Sequence, residues 1–427
     1  MSNTQKRPKS GSLQNPQSAN FRMSDLPDGI EVTPVNIVAE DGAPSKGVLY
    51  RLKGTRPKVG VHLMHPRTDQ TQNYNIIPLA LAGYAVLGRA SRWPNNDVAT
   101  IHELLLLDVA AGIKTLHEHG CEKVILLGNS GGGSLAAFYQ AQATAAAGDR
   151  LTHTPAGDPV DLNKFNLPPA QGIVIVGGHI GQGLLLGKMI DPSVVDENDP
   201  VSVDPELDIY DPRNGFRMPP ESSKFSEEFL TRYRAAQLDR VRRLDAKARG
   251  MINAQRDAVE LAKKADGETK LRLQRVAKAG WHMVVYRTTA DPAFIDLNID
   301  ADDRVVYTYV GPQPHLENYG ENGFARYLTP RAWLSTWSAL SSNARTIDNL
   351  ARIREPLLIV HYAGDSGTRT REVHEMIERS VSTDKQLHHI EKVDHYGFTI
   401  LPGATFGPRS TLGTDKVVSW MREKFPV

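Results

Sequence analysis

KVILLGNSGGGSLAAFYQAQA, residues 123–143, decides the fold. The apolar run 124–127 reads as a strand buried on both faces, and the small-residue segment from Gly132 to about Ala147 reads as a helix. Between them stands Gly128-Asn129-Ser130-Gly131-Gly132, a G-x-S-x-G in the strand-to-helix context that this motif needs. A tight turn there holds the serine in strained backbone geometry, and the flanking glycines remove Cβ atoms that would clash. The Ser130 hydroxyl is expected above the carboxyl edge of a sheet, near the positive end of the following helix. The N–H of Gly131 then points to where a negative oxygen would form.

Working outward, residues 30–52 alternate around Glu40-Asp41-Gly42 and predict an antiparallel opening hairpin. Residues 59–64 predict a buried strand that ends in His65-Pro66, followed by a helix near 76–82 and a strand at 85–88. Apolar residues recur at helical spacing over 98–119, and Gly120 stops that helix. Strands are expected at 172–176, 357–360 and 386–390, with helices at 371–379 and 415–424. This alternation predicts an α/β chain with a mostly parallel, doubly wound sheet. In such sheets ligands bind beyond the carboxyl ends of the strands, so the turns after residues 64, 127, 176 and 360 should carry the chemistry.

Residues 184–354 break the alternation and read as a largely helical cap insertion between two parts of the core, 23–183 and 355–427. An acidic, proline-punctuated loop opens it, and a long helix is expected over 223–265, interrupted at most by Gly250. Residues 223–280 hold 15 Lys or Arg against 8 Asp or Glu. A solvated helix face laced with i,i+4 pairs accounts for that surplus, with a basic lid that draws anionic substrates as the alternative. Trp333 and Trp337, at i,i+4, are expected to serve helix packing rather than a substrate wall. The acidic cluster Asp191, Asp196, Glu197, Asp199, Asp204 and Asp208 lacks the alternating spacing of a calcium loop, so no metal is expected.

Lys plus Arg (50) balances Asp plus Glu (49), which leaves no global field to hold nucleic acid or an anionic membrane. Cys121, the single cysteine, excludes an intrachain disulfide framework and suits a cytoplasmic home as a half-buried structural thiol. Residues 1–22 read as a disordered polar tail, and no segment approaches 18 consecutive apolar residues.

An alcohol is a weak nucleophile without a base in hydrogen-bond reach. His395 is placed for that role, because VDHYG follows the last strand and opens a loop over the carboxyl edge. His388 and His389 lie within that strand and are expected to face core and helix layer, and His102, His117 and His119 belong to a helix. Asp365 ends LLIVHYAGD and should emerge on the same rim to orient the base, whereas Asp394 adjoins the histidine and consecutive side chains rarely face each other. His179, after Gly177-Gly178, either lines the pocket or packs.

GNSGGG, YAGD and DHYG, in the order Ser, Asp, His, together with the loop after VGVHLMHP, resemble the α/β-hydrolase superfamily over about residues 30–183 and 355–427. The resemblance implies a cofactor-independent serine hydrolase of small-molecule carboxylic esters or lactones, with Ser130, His395 and Asp365 as catalytic residues. It also implies an oxyanion hole in the loop after the third strand. Where the family has glycine this chain has Pro66, which has no N–H to give, so the second donor by alignment is the N–H of Arg67, with Thr68 as neighbour. His65, Thr68, Asn129 and His179 are expected to contact substrate. Thioester, amide or carbon–carbon hydrolysis and acyl transfer share the same elbow, a silent binding protein is the rival from another class, and a homo-oligomer is compatible with the chain.

Overall fold

Val124 and Leu126 face one way along their strand and Ile125 and Leu127 the other, and each pair joins a different apolar cluster. That period-2 division, repeated by Ile173/Ile175 against Val174/Val176 and by Leu357/Ile359 against Leu358/Val360, places apolar helices on both faces of one sheet. The computed structural model describes residues 21–94, 96–403 and 405–427, so nearly all of the expected 1–22 tail lies outside the described residues.

The strands are β1 (Ile30–Val38), β2 (Pro44–Leu52), β3 (Val59–Leu63), β4 (Ala85–Arg89), β5 (Lys123–Asn129), β6 (Gly172–Val176), β7 (Leu357–Tyr362) and β8 (Lys385–Ile390). They lie in the order β1-β2-β4-β3-β5-β6-β7-β8, with β1/β2 and β2/β4 antiparallel and the remaining neighbours parallel. Helices α1 (Ile76–Leu81), α2 (His102–Glu118), α3 (Gly131–Ala143) and α4 (Gln182–Met189) precede the long α5 (Glu227–Lys264) and α6 (Gly267–Lys278). After β7 come α7 (Thr370–Arg379) and α8 (Leu412–Lys424). α2, α3 and α7 cover one face, α1 and α8 the other. This is the doubly wound α/β-hydrolase fold.

Tertiary contacts move some boundaries. α2 starts at His102 rather than near 98, because the Val98 carbonyl accepts from the Thr329 N–H (2.8 Å) and the Thr100 hydroxyl donates to the Asn96 carbonyl (2.5 Å), which holds the preceding turn open. α3 stops at Ala143, short of the expected end near 147. β8 is an edge strand, so His388 is only half-buried and His389 is exposed, stacking on His374 at 5.1 Å rather than entering the core. Cys121 is buried beneath Gly60, and burial pushes its thiol up to about 11, which keeps it protonated.

Between β6 and β7 the chain builds two further apolar clusters. α5 runs 38 residues without a break at Gly250. The Ser226 hydroxyl caps it by accepting from the Phe229 N–H (3.1 Å), and acidic first-turn and basic last-turn residues suit its dipole. Phe229, Tyr233, Gln237, Val241, Leu244, Ala248 and Ile252 form its buried stripe. Several of its basic residues are paired: Arg240 with Glu197 (2.7 Å), Arg234 with Asp291 (2.6 Å), Arg242 with Asp239 (2.5 Å) and Lys263 with Glu260 (2.6 Å). No described helix is long and apolar enough to cross a membrane.

A Cβ at Gly250 meets open space, so Gly250→Ala should raise the unfolding free energy by about 0.5–1 kcal/mol through the helix alone. Urea denaturation followed by circular dichroism reads this; a destabilised variant would contradict the continuous helix.

Candidate active site

Ser130 has φ 54° and ψ −125°, a region that L side chains rarely adopt, and it sits between the end of β5 and the first residue of α3. The turn is held rather than free: the Ser130 N–H donates to the Val176 carbonyl (3.0 Å) and the Asn129 amide donates to the same carbonyl (2.9 Å). A Cβ at Gly128 would come within 3.0 Å of the Gly132 carbonyl and the Gly133 nitrogen, and one at Gly132 within 2.6 Å of the Met64 carbonyl. All of these are backbone atoms that cannot swing aside, so glycine is required on both sides of the serine. As first residue of α3, Gly131 has an N–H with no intrahelical acceptor.

His395 stands in the turn after β8. Asp394 shapes that turn by accepting from the N–H groups of Tyr396 (3.0 Å) and Phe398 (2.7 Å), which keeps its carboxylate away from the neighbouring imidazole. Asp365 is fully buried, with one oxygen accepting from the Gly367 N–H (2.8 Å) and the other 2.6 Å from His395 Nδ1. Burial alone would raise the Asp365 carboxyl, but the adjacent His395 ring, its hydrogen bond and the Gly367 amide hold it below its ordinary value. An ionised carboxylate only accepts, so Nδ1 carries the imidazole proton and Nε2 is left as acceptor. Ser130 Oγ lies 2.9 Å from that Nε2. Hydroxyl, imidazole and carboxylate are therefore in line.

Ser130, His395, His65, Arg67, Thr68, Asn129 and His179 all line one open cavity, with Asp365 behind His395. One expectation fails here. The Arg67 N–H does not face the cavity as a free donor: it and the Thr68 N–H both donate to His65 Nδ1 at 3.0 Å. Pro66 reverses the chain tightly enough to fold the following amides back onto the preceding ring. The Arg67 guanidinium instead pairs with Asp97 and lies over the rings of Phe324 (4.8 Å) and Trp337 (5.6 Å).

Sequence reasoning missed the far wall. Tyr309 packs edge-on against the His395 ring (4.8 Å between centroids), and Phe324 stacks on Trp337 (5.8 Å). Trp333 and Trp337 both pack in one apolar cluster, as expected, with the Trp333 indole N–H donating to Asp245 (2.7 Å), and Trp337 in addition borders the cavity. Trp333–Trp337 form a five-residue π-helical turn, and both indoles are buried in the same apolar cluster. Tyr309 had no local signal. Gly367 marks it in retrospect, since a Cβ there would overlap the Tyr309 hydroxyl. The described residues hold no group of three or more His, Cys, Asp or Glu placed to bind a metal, and Asp191 is engaged by Asn318 and Ser193.

Several imidazoles are held neutral around this site. Burial, first of all, lowers His62 and His65 well below the ordinary value of about 6.5, His102 to about 4 and His179 to about 3. The unfolded chain binds these protons more readily, so the stability they contribute is complete above about pH 6.5 and is lost as pH falls toward 4. Urea midpoints should drop between pH 7.5 and 5.0, and His102→Gln should shrink that drop. A midpoint independent of pH would contradict the buried neutral rings.

No protein-family model matches the sequence, and a comparison with curated proteins finds no relative. Among solved structures the chain is similar to DcsB in complex with a substrate analogue, at 13% identity and a TM-score of 0.45 over 92% of this chain and 97% of that one. It is also similar to the esterase Pf2001 of Pyrococcus furiosus (11%, 0.42, 99% of each chain) and to Est1E of Butyrivibrio proteoclasticus (11%, 0.44, 91% and 98%). Likenesses this distant assign neither a substrate nor a reaction.

Proposed function

We propose that this chain is a serine hydrolase that cleaves a carboxylic ester or lactone of a small molecule through an acyl-enzyme. The observation that carries the reading is the line Ser130 Oγ, His395 Nε2 and Nδ1, Asp365 Oδ2, at 2.9 and 2.6 Å, opening on a cavity. Ser130 attacks the carbonyl carbon as His395 Nε2 takes its proton, and the imidazolium is stabilised by Asp365. Collapse of the tetrahedral intermediate expels the alkoxide, which takes the proton from His395. Water then repeats the cycle, giving its proton to His395 and its oxygen to the acyl carbon, and Ser130 leaves reprotonated. An ester suits this better than an amide because an alkoxide leaves more readily than an amine.

In this reading residues 184–354 act as a cap. They supply Tyr309, Phe324 and Trp337 as an apolar wall, which favours an apolar acyl or alcohol group beside the serine. Recruitment of anions by the lysine- and arginine-rich helices has no support in the cavity, since α5 and α6 contribute none of its lining. We place the enzyme in the cytoplasm on its single, buried cysteine.

A fluorophosphonate probe should label the protein stoichiometrically, with labelling abolished in Ser130→Ala and strongly slowed in His395→Ala. Asp365→Asn should lower kcat by roughly 10⁴-fold, the usual cost of losing the tautomer of the base. Matched ester, thioester and amide probes assign the bond cleaved; normal turnover by Ser130→Ala would end the proposal.

A further inference from the structure

With the Arg67 and Thr68 amides spent on a side chain, the second donor to a negative oxygen must come from elsewhere. Two imidazoles converge on the residue after the serine. A Cβ built on Gly131 would lie 2.9 Å from His65 Nε2 and 3.4 Å from His179 Nε2, so both ring tips face one methyl-sized volume beside the Ser130–Gly131 peptide. Both rings are buried yet border the cavity that Ser130 opens on.

Their protonation follows from the partners of the opposite nitrogens. His65 Nδ1 accepts from the N–H groups of Arg67 and Thr68 (both 3.0 Å), and His179 Nδ1 accepts from the Gly181 N–H (3.2 Å). A nitrogen that accepts a hydrogen bond keeps its lone pair, so each neutral ring must carry its proton on Nε2. Neither Nε2 has a hydrogen-bond partner among the described residues. Protonating either ring would aim an Nδ1–H at an amide N–H. Burial, the Arg67 charge and the other histidines work in the same direction at His65, and burial and His395 do so at His179.

We propose that the oxygen that becomes negative in the tetrahedral intermediate is held by the Nε2–H groups of His65 and His179 together with the N–H of Gly131, the two imidazoles standing where loop amides were expected. This rests on the serine mechanism above. Neutral, preorientated donors strengthen as charge develops on the oxygen and give the ground-state carbonyl less, which is what a rate effect requires. Glycine at position 131 keeps the His65 ring in this place, since a Cβ there would press on its Nε2 at 2.9 Å.

The test uses the full chain, p-nitrophenyl acetate and a trifluoromethyl ketone, which forms a tetrahedral adduct with the serine. His65→Leu should lower kcat by about 100-fold or more with little change in KM, and weaken the ketone by a comparable factor. His65→Gln, which keeps a side-chain N–H, should recover part of both. Should His65→Leu fail to fold, Gly131→Ala decides: it leaves the triad intact, sets a methyl in the shared volume and should lose kcat and ketone affinity together. A folded His65→Leu with wild-type kcat and ketone affinity overturns the assignment, as does a Gly131→Ala of wild-type behaviour. In both cases an inert Ser130→Ala shows that the serine mechanism itself stands. Turnover by Ser130→Ala would instead remove the mechanism and this role with it.

Discussion

The close approach of two stretches of backbone at the end of β5 governs the rest of the molecule. α3 begins so near to Gly128 that a Cβ would meet the peptide of Gly132, and the Met64 carbonyl presses on Gly132 from the neighbouring strand end. A positive φ at Ser130 follows from that compression, because the chain must reverse within one residue to pass from the sheet into the helix layer. The strain is held by the buried alternation of β5 and by hydrogen bonds from Ser130 and Asn129 to Val176, so the elbow cannot relax without parting β5 from β6.

Around this fixed point, hydrogen-bond polarity sets protonation. Asp365, an acceptor, obliges His395 to carry its proton on Nδ1 and to present a lone pair to Ser130. At His65 and His179 backbone donors occupy Nδ1, and the same logic turns Nε2 into a donor. Three rings at one cavity thus differ in which nitrogen carries the proton through the partner on the far nitrogen, with no difference in covalent chemistry.

The 184–354 segment is tied to this rim by charge as well as by aromatic packing. Asp291, buried, receives Arg234 of α5 at 2.6 Å and Arg369 at 3.2 Å, and Arg369 in turn donates to the Asp365 carbonyl at 3.3 Å. Burial would raise the Asp291 carboxyl, but the two guanidinium groups drive it well below the carboxylate range. The Arg369–Asp291 pair, buried on both sides, contributes less net stability than its Coulomb energy suggests, since both partners lose water. The Arg369 guanidinium thereby links the Asp291 carboxylate to the turn that bears Asp365.

Read alone, the amino-acid sequence determined whatever depends on local pattern. The strand–helix alternation, the elbow with its obligatory glycines, and the distinction of His395 and Asp365 from the remaining histidines and from Asp394 all follow from periodicity and turn chemistry. Helix starts were less legible: α2 begins late because a carbonyl near its expected start is taken by a residue more than 200 positions away. Tertiary structure alone decided the direction of the Arg67 and Thr68 amides, the stacking of Trp337 on Phe324 at the cavity, and the arrival of Tyr309 against His395. Each of these depends on where a hydrogen bond or a ring finds its partner across the fold. Sequence spacing encodes the period of an element, but the partner's position is set only when distant elements pack.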